Sequence, residues 1–300
     1  MLRAMVILLL ILAGCLPAPA RSEKVQVLAS NSIVGDVVGE VGKEAVALSV
    51  LVPPGVDPHS YEPSPQDLMR ASQAQVIFIN GAGLEEAFIK RLLENASPNA
   101  LLVDLSEGIE LLSFEGEGHE HEHEHEVDPH VWLDPVNVIT WTHHIASALG
   151  KVDPKNADFY RKNAQDYEKK LQELDAWIRE MVESIPVERR KLVTDHLAFG
   201  YFARRYGFQQ VGAIIPGFTT LAEPSARDIA SLTDLIRREG VPAIFVSASA
   251  NPRMAERLAQ DAGIKVVPLY MGSLSQPGGP ASTYIELMRY NVSAIVEALK

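Results

Sequence analysis

From Asp153 to about Ser184 the chain carries one unbroken helical pattern, set between two stretches in which strands and helices alternate. Asp153 suits an N-cap, and Pro154 suits the first helical position, where its missing N–H has no partner to lose. Leu171, Leu174, Trp177, Ile178 and Met181 recur at helical spacing and give this segment one apolar stripe. At about 1.5 Å per residue such a helix is roughly 45 Å long, more than one lobe can cover.

The flanking stretches read as α/β halves. Before the long helix, strands are predicted at 24–30, 47–52, 75–80 and 101–105. Helices are predicted between them: at the Ile33, Val34, Val37, Val38, Val41 repeat, after Ser64-Pro65, from about Leu84, and from about Asn137 to Gly150. After it, strands are expected from KLVT, near 209–213, at 243–246 and at 265–270. Helices are expected at 198–206, from Ser225 with Asp228 as capping partner, at 252–262 and at 282–299. This alternation predicts an N-terminal lobe over 24–150, a linking helix over 153–185 and a C-terminal lobe over 187–300, both lobes with mainly parallel sheets. The segment 106–127 is polar, acidic and aperiodic, and reads as a loop that is mobile at its centre.

The formal charge of −12 and the lack of a basic cluster argue against nucleic acid as a partner. Arg3 followed by the apolar run Met5–Leu12 reads as a signal segment, too short to span a bilayer. LAGC at Leu12–Cys15 resembles a bacterial lipoprotein processing site, so residues 1–14 would be removed and Cys15 would carry lipid. The alternative is cleavage after Ala18-Pro19-Ala20, which gives a soluble periplasmic protein. Cys15 is the only cysteine, so no internal disulfide can form.

Three histidines follow predicted strands: His59 in GVDPHSYEPSP, His130 in DPHVWLDP and His196 in TDHLAFGYFARRYG. Ligands in parallel sheets bind beyond the carboxyl ends of strands, so the three should meet in the cleft between lobes. Converging imidazoles suit a transition-metal cation such as Zn²⁺. His119, His121, His123 and His125 alternate with glutamates within the loop 116–126 and form a weaker, auxiliary metal-capturing segment, or else a solvated acidic linker. Asp134 is either a partner that fixes an imidazole tautomer or a helix N-cap before Pro135. His143 and His144 are adjacent in a helix and face different ways, so they read as structural.

The strings GVDPHSYEPSPQD, DPHVWLDP, HLAFGYFARRYG and PGGPASTYIELMRYN resemble those of the cluster A-I metal-binding proteins of bacterial ABC transporters, over nearly the whole mature chain. The resemblance implies two α/β lobes joined by one long rigid helix, with His59, His130 and His196 as metal ligands. It implies a zinc-type protein, because manganese-type members tend to carry glutamate in place of His196. It also implies a monomer that delivers Zn²⁺, as cargo, to a membrane permease. One string departs from the pattern: where the family has LYSDSLS with an aspartate ligand, this chain has LYMGSLS, with Gly272. The fourth position then falls to water, to Glu62 or to a histidine of the loop.

Three other readings compete: a manganese-type binding protein, a zinc-dependent hydrolase and a surface adhesion lipoprotein. Three histidines with an open position do resemble catalytic zinc. Yet HExxH, G-x-S-x-G and P-loop motifs are all missing from the sequence, which speaks for a carrier rather than an enzyme.

Overall fold

A computed structural model describes residues 24–114 and 126–300. Cys15, the signal segment and His119, His121, His123 and His125 lie outside the described residues. In the first half, β1 (Val25–Asn31), β2 (Val46–Val52), β3 (Val76–Ile79) and β4 (Leu101–Asp104) form a parallel sheet in the order β2-β1-β3-β4. Its crossovers run through α1 (Ser32–Gly42), α2 (Pro65–Gln73) and α3 (Glu86–Asn95). β3 is buried along its full length, which is why VIFI is continuously apolar rather than alternating.

The segment between the first sheet and the next helix is not wholly a loop. β5 (Ser113–Phe114) and β6 (Glu126–Val127) pair antiparallel and close its base. Beyond it run α4 (Pro135–Val152) and α5 (Ala157–Glu183). The second half holds β7 (Lys191–His196), α6 (Gly200–Tyr206), β8 (Gln209–Ile215), α7 (Ala226–Glu239), β9 (Ala243–Ser247), α8 (Arg253–Ala262), β10 (Lys265–Leu269) and α9 (Tyr284–Leu299). Its sheet is parallel in the order β10-β9-β7-β8. Helix starts follow the local chemistry: Ser64 with Asp67, Ser225 with Asp228 and Thr283 with Glu286 each close a reciprocal capping box.

The expected start of the linking helix is corrected. Asp153 closes α4, its N–H donating to Leu149 O at 2.9 Å, and Pro154–Asn156 make a separate 3-10 turn. The Asp153 carboxylate does not cap; it accepts from Asn156 Nδ2 at 2.6 Å and from the Tyr160 hydroxyl at 2.8 Å. The 27 residues of α5 still reach about 40 Å. Leu171, Leu174 and Ile178 are fully buried, while Trp177 and Met181 flank the stripe and are partly exposed. One core passes through both halves: Val76 and Phe78 of the first sheet, Leu171 and Leu174 of α5, and Phe245 and Leu269 of the second sheet share it. Two smaller cores lie on the outer sheet faces, one around Ile77 and Phe88, the other around Ile244 and Leu258. Among the described residues no helix is long and apolar enough to cross a membrane.

Candidate metal centre

His59 sits in the 3-10 turn Pro58–Ser60 that follows β2, where Asp57 accepts the His59 N–H at 3.0 Å. His130 follows β6, not one of the strands of the main sheet, and opens the turn Val131–Leu133. His196 is the last residue of β7 itself rather than a loop residue. The carboxyl end of a central strand and two turns thus deliver one imidazole each, two from the first lobe and one from the second.

The three rings converge. The His130 Nε2 lies 3.2 Å from His59 Nε2 and 3.1 Å from His196 Nε2. One nitrogen from each lies within 4.8 Å of the others, and all three residues are buried, at 7%, 0% and 3% exposure in chain order. A tetrahedral cation at about 2.0–2.1 Å from two imidazole nitrogens separates them by about 3.3–3.4 Å, so the spacing suits a first-row cation.

Two aspartates orient two of the rings. Asp128 Oδ1 lies 2.8 Å from His130 Nδ1 and accepts the His130 backbone N–H at 3.0 Å. Asp195 Oδ1 does the same for His196, at 2.8 Å to Nδ1 and 2.8 Å to the backbone N. A carboxylate on Nδ1 fixes the proton there and leaves the Nε2 lone pair for a cation. Neither aspartate stood out in the sequence. The signal was an acidic residue one or two places before a histidine.

Asp134 is not such a partner. Its carboxylate caps α4 by accepting from Val136 N at 2.9 Å and pairs with Arg205 Nε at 3.1 Å. Glu62 is exposed and stands apart from the three-histidine group, so it is not placed as a fourth donor. His143 is exposed and lies 3.4 Å from the Glu168 carboxylate. Among the described residues no carboxylate joins the cluster. Gly272 lies against the turn that carries His59: a Cβ there would lie 3.1 Å from Pro58 Cδ, and the adjoining Met271 carbonyl accepts from Trp132 Nε1 at 2.8 Å.

Burial tunes these groups. It lowers the His59 pKa to about 3, helped by the nearby His130 and His196 rings. Burial, with His196 beside it, holds His130 well below the ordinary histidine range. Both imidazoles are therefore held neutral, the form that binds metal. The two aspartates diverge. Burial pushes Asp128 up to about 7, and its Oδ2 has no hydrogen-bond partner among the described residues. Burial pushes on Asp195 as well, but hydrogen bonds from His196 and from Ser247 N, at 2.7 Å to Oδ2, outweigh it and hold its pKa below the usual range.

The family model of the zinc-uptake complex component A, periplasmic (ZnuA), matches residues 27–298. The manganese ABC transporter substrate-binding lipoprotein PsaA of Streptococcus anginosus is 34% identical over 283 residues, spanning 92% of this chain and 90% of the relative. The manganese-binding lipoprotein MntA of Halalkalibacterium halodurans is 34% identical over 298 residues, spanning 98% and 96%. Among solved structures, the periplasmic zinc-binding protein TroA of Treponema pallidum superposes with a TM-score of 0.84 at 31% identity, covering 92% of this chain and 99% of that one.

Proposed function

Because the chain belongs to the ZnuA family of periplasmic metal-binding proteins of ABC transporters, we propose that it captures a divalent transition-metal cation outside the cytoplasm through His59, His130 and His196 and passes it to a membrane permease. The observation that carries this reading is the three buried imidazoles, with the His130 Nε2 3.1–3.2 Å from each of the other two and two of the rings backed by aspartates. The family is one of transport binding proteins and not of enzymes. Cys15 would anchor the chain by lipid, as the lipoprotein names of the relatives favour.

For the cargo, manganese comes first. Curated relatives that span nearly the whole chain, PsaA and MntA, bear manganese names, and others bear only a general metal name, so the zinc-type expectation finds no such support among them. Zinc is the second reading, and the donor set favours it. Imidazole suits zinc, manganese prefers oxygen donors, and the described residues place no carboxylate in the cluster. Water would complete the coordination in either case.

In vitro affinity does not separate the two, because nitrogen sites bind Zn²⁺ more tightly than Mn²⁺ whatever the biological cargo. Uptake does. A deletion strain expressing this chain with its permease should accumulate radioactive manganese in preference to zinc; accumulation of zinc alone would transfer the assignment to the second reading. Titration of His59→Ala, His130→Ala and His196→Ala with either metal tests the ligand set. Wild-type affinity in any one removes that residue from the site.

A further inference from the structure

The short helix α6 begins four residues after His196, on the second lobe, yet it touches the His130 segment of the first lobe at three points. The Tyr201 hydroxyl donates to the Asp128 carbonyl at 3.0 Å and accepts from Leu112 N at 3.0 Å. Arg205, one turn on and on the same face, reaches Asp134 Oδ1 with Nε at 3.1 Å. Residues 128 and 134 bracket His130, so one helix face grips both ends of that segment. Arg205 is itself braced: its Nε and Nη2 bind the two Asp175 oxygens on α5 at 2.7 and 2.8 Å, and the Tyr206 hydroxyl donates to the same carboxylate at 2.8 Å.

The third contact explains Gly200. A Cβ at this position would lie 2.5 Å from Asp128 Oδ2, the carboxylate whose other oxygen orients the His130 ring. Glycine has no Cβ to hold the helix and the aspartate apart. Here it lets the helix approach the aspartate closely enough for Tyr201 to reach the backbone behind it.

We propose that α6 is a positioning helix for the metal site, in which Gly200, Tyr201 and Arg205 set the His130 ring from the opposite lobe so that its Nε2 meets that of His196. None of the three touches the cation. The inference rests on the reading that the three histidines bind metal. It adds that the His130 donor is placed from the second lobe, so the site is shaped where the lobes join.

The test uses Co²⁺, whose visible absorption reports coordination geometry, with a chelator competition for affinity and a thermal melt of the metal-free protein. Wild type should bind one Co²⁺. Tyr201→Phe and Gly200→Ala should each weaken binding by about tenfold or more, the range seen when groups behind a ligand are removed. Their Co²⁺ spectra should also change shape, which a purely structural role would not cause. Arg205→Lys, which cannot span both carboxylates in the same way, should shift in the same direction. If the variants melt lower but keep wild-type affinity and spectrum, the positioning role is overturned while the metal site stands. If wild type takes up no Co²⁺, the metal reading fails and the inference with it. Should Gly200→Ala not fold, Tyr201→Phe, which removes one oxygen, decides alone.

Discussion

An imidazole offers a defined lone pair to a cation only when its other nitrogen is held, and Asp128 and Asp195 hold two of the three. Asp195→Ala should weaken metal binding by about 10–100-fold, and Asp128→Ala similarly. Calorimetry on both checks this; wild-type affinity in either variant would remove that aspartate from the ring-orienting role. The histidines were legible from the sequence because three of them recurred near predicted strand ends. Their partners were not, since an acidic residue just before a histidine reads equally well as a turn or cap residue. The two DPH strings make the point. Asp57 caps the backbone of His59 and takes the Thr220 hydroxyl at 2.6 Å, whereas Asp128 binds the His130 ring. Only the path of the chain distinguishes them. Asp134 was singled out by its spacing from His130, but that spacing places it on the next helix, where an unpaired N–H claims it.

Most helices and strands were readable because their caps and periodicity are local. The start of α5 was not, because Asp153-Pro154 satisfies a helix-start rule while Asn156 and Tyr160 take the aspartate for a tighter turn. The contact of α1 with α9 hides another group the pattern does not show. Asp36, inside the apolar face of α1, accepts the Tyr284 N–H at 2.9 Å at the head of α9. Burial raises its pKa from 3.8 to about 6, against the pull of that hydrogen bond and with Glu40 and Glu286 adding to the rise. The folded state thus keeps this proton to higher pH than the unfolded chain does. The stability the group contributes is complete below pH 3.8, falls as pH rises towards 6 and is lost above it. Asparagine can accept the same N–H without ionising. Asp36→Asn should therefore exceed wild type in stability at pH 7 by on the order of 2 kcal/mol, with the gain vanishing near pH 4. Urea denaturation at both pH values measures it, and a difference independent of pH would refute the account.

The two-lobe plan with a helical spine was predictable, because a helix longer than one lobe between two α/β patterns admits few other arrangements. The cargo was not, because manganese-named and zinc-named proteins share this fold at comparable identity, and the choice lies in a few donors. What the structure adds is that the lobes are not independent. A single core runs from Phe78 through Leu174 to Phe245, and the three clustered histidine nitrogens come from both sides of it. A cation bound to His59, His130 and His196 therefore binds the native chain and not either half unfolded. Its stabilisation appears in the melting of the entire protein. At a free metal concentration of about 100 times the dissociation constant the gain is roughly 2.7 kcal/mol. For a chain of this size that raises the melting temperature by about 4–5 °C. Calorimetry should show one transition that moves upward intact with metal, and no shift for His130→Ala, which removes the donor closest to both others. Two transitions, only one of them moved by metal, would mean that the lobes unfold separately and that the cation is held by one of them alone.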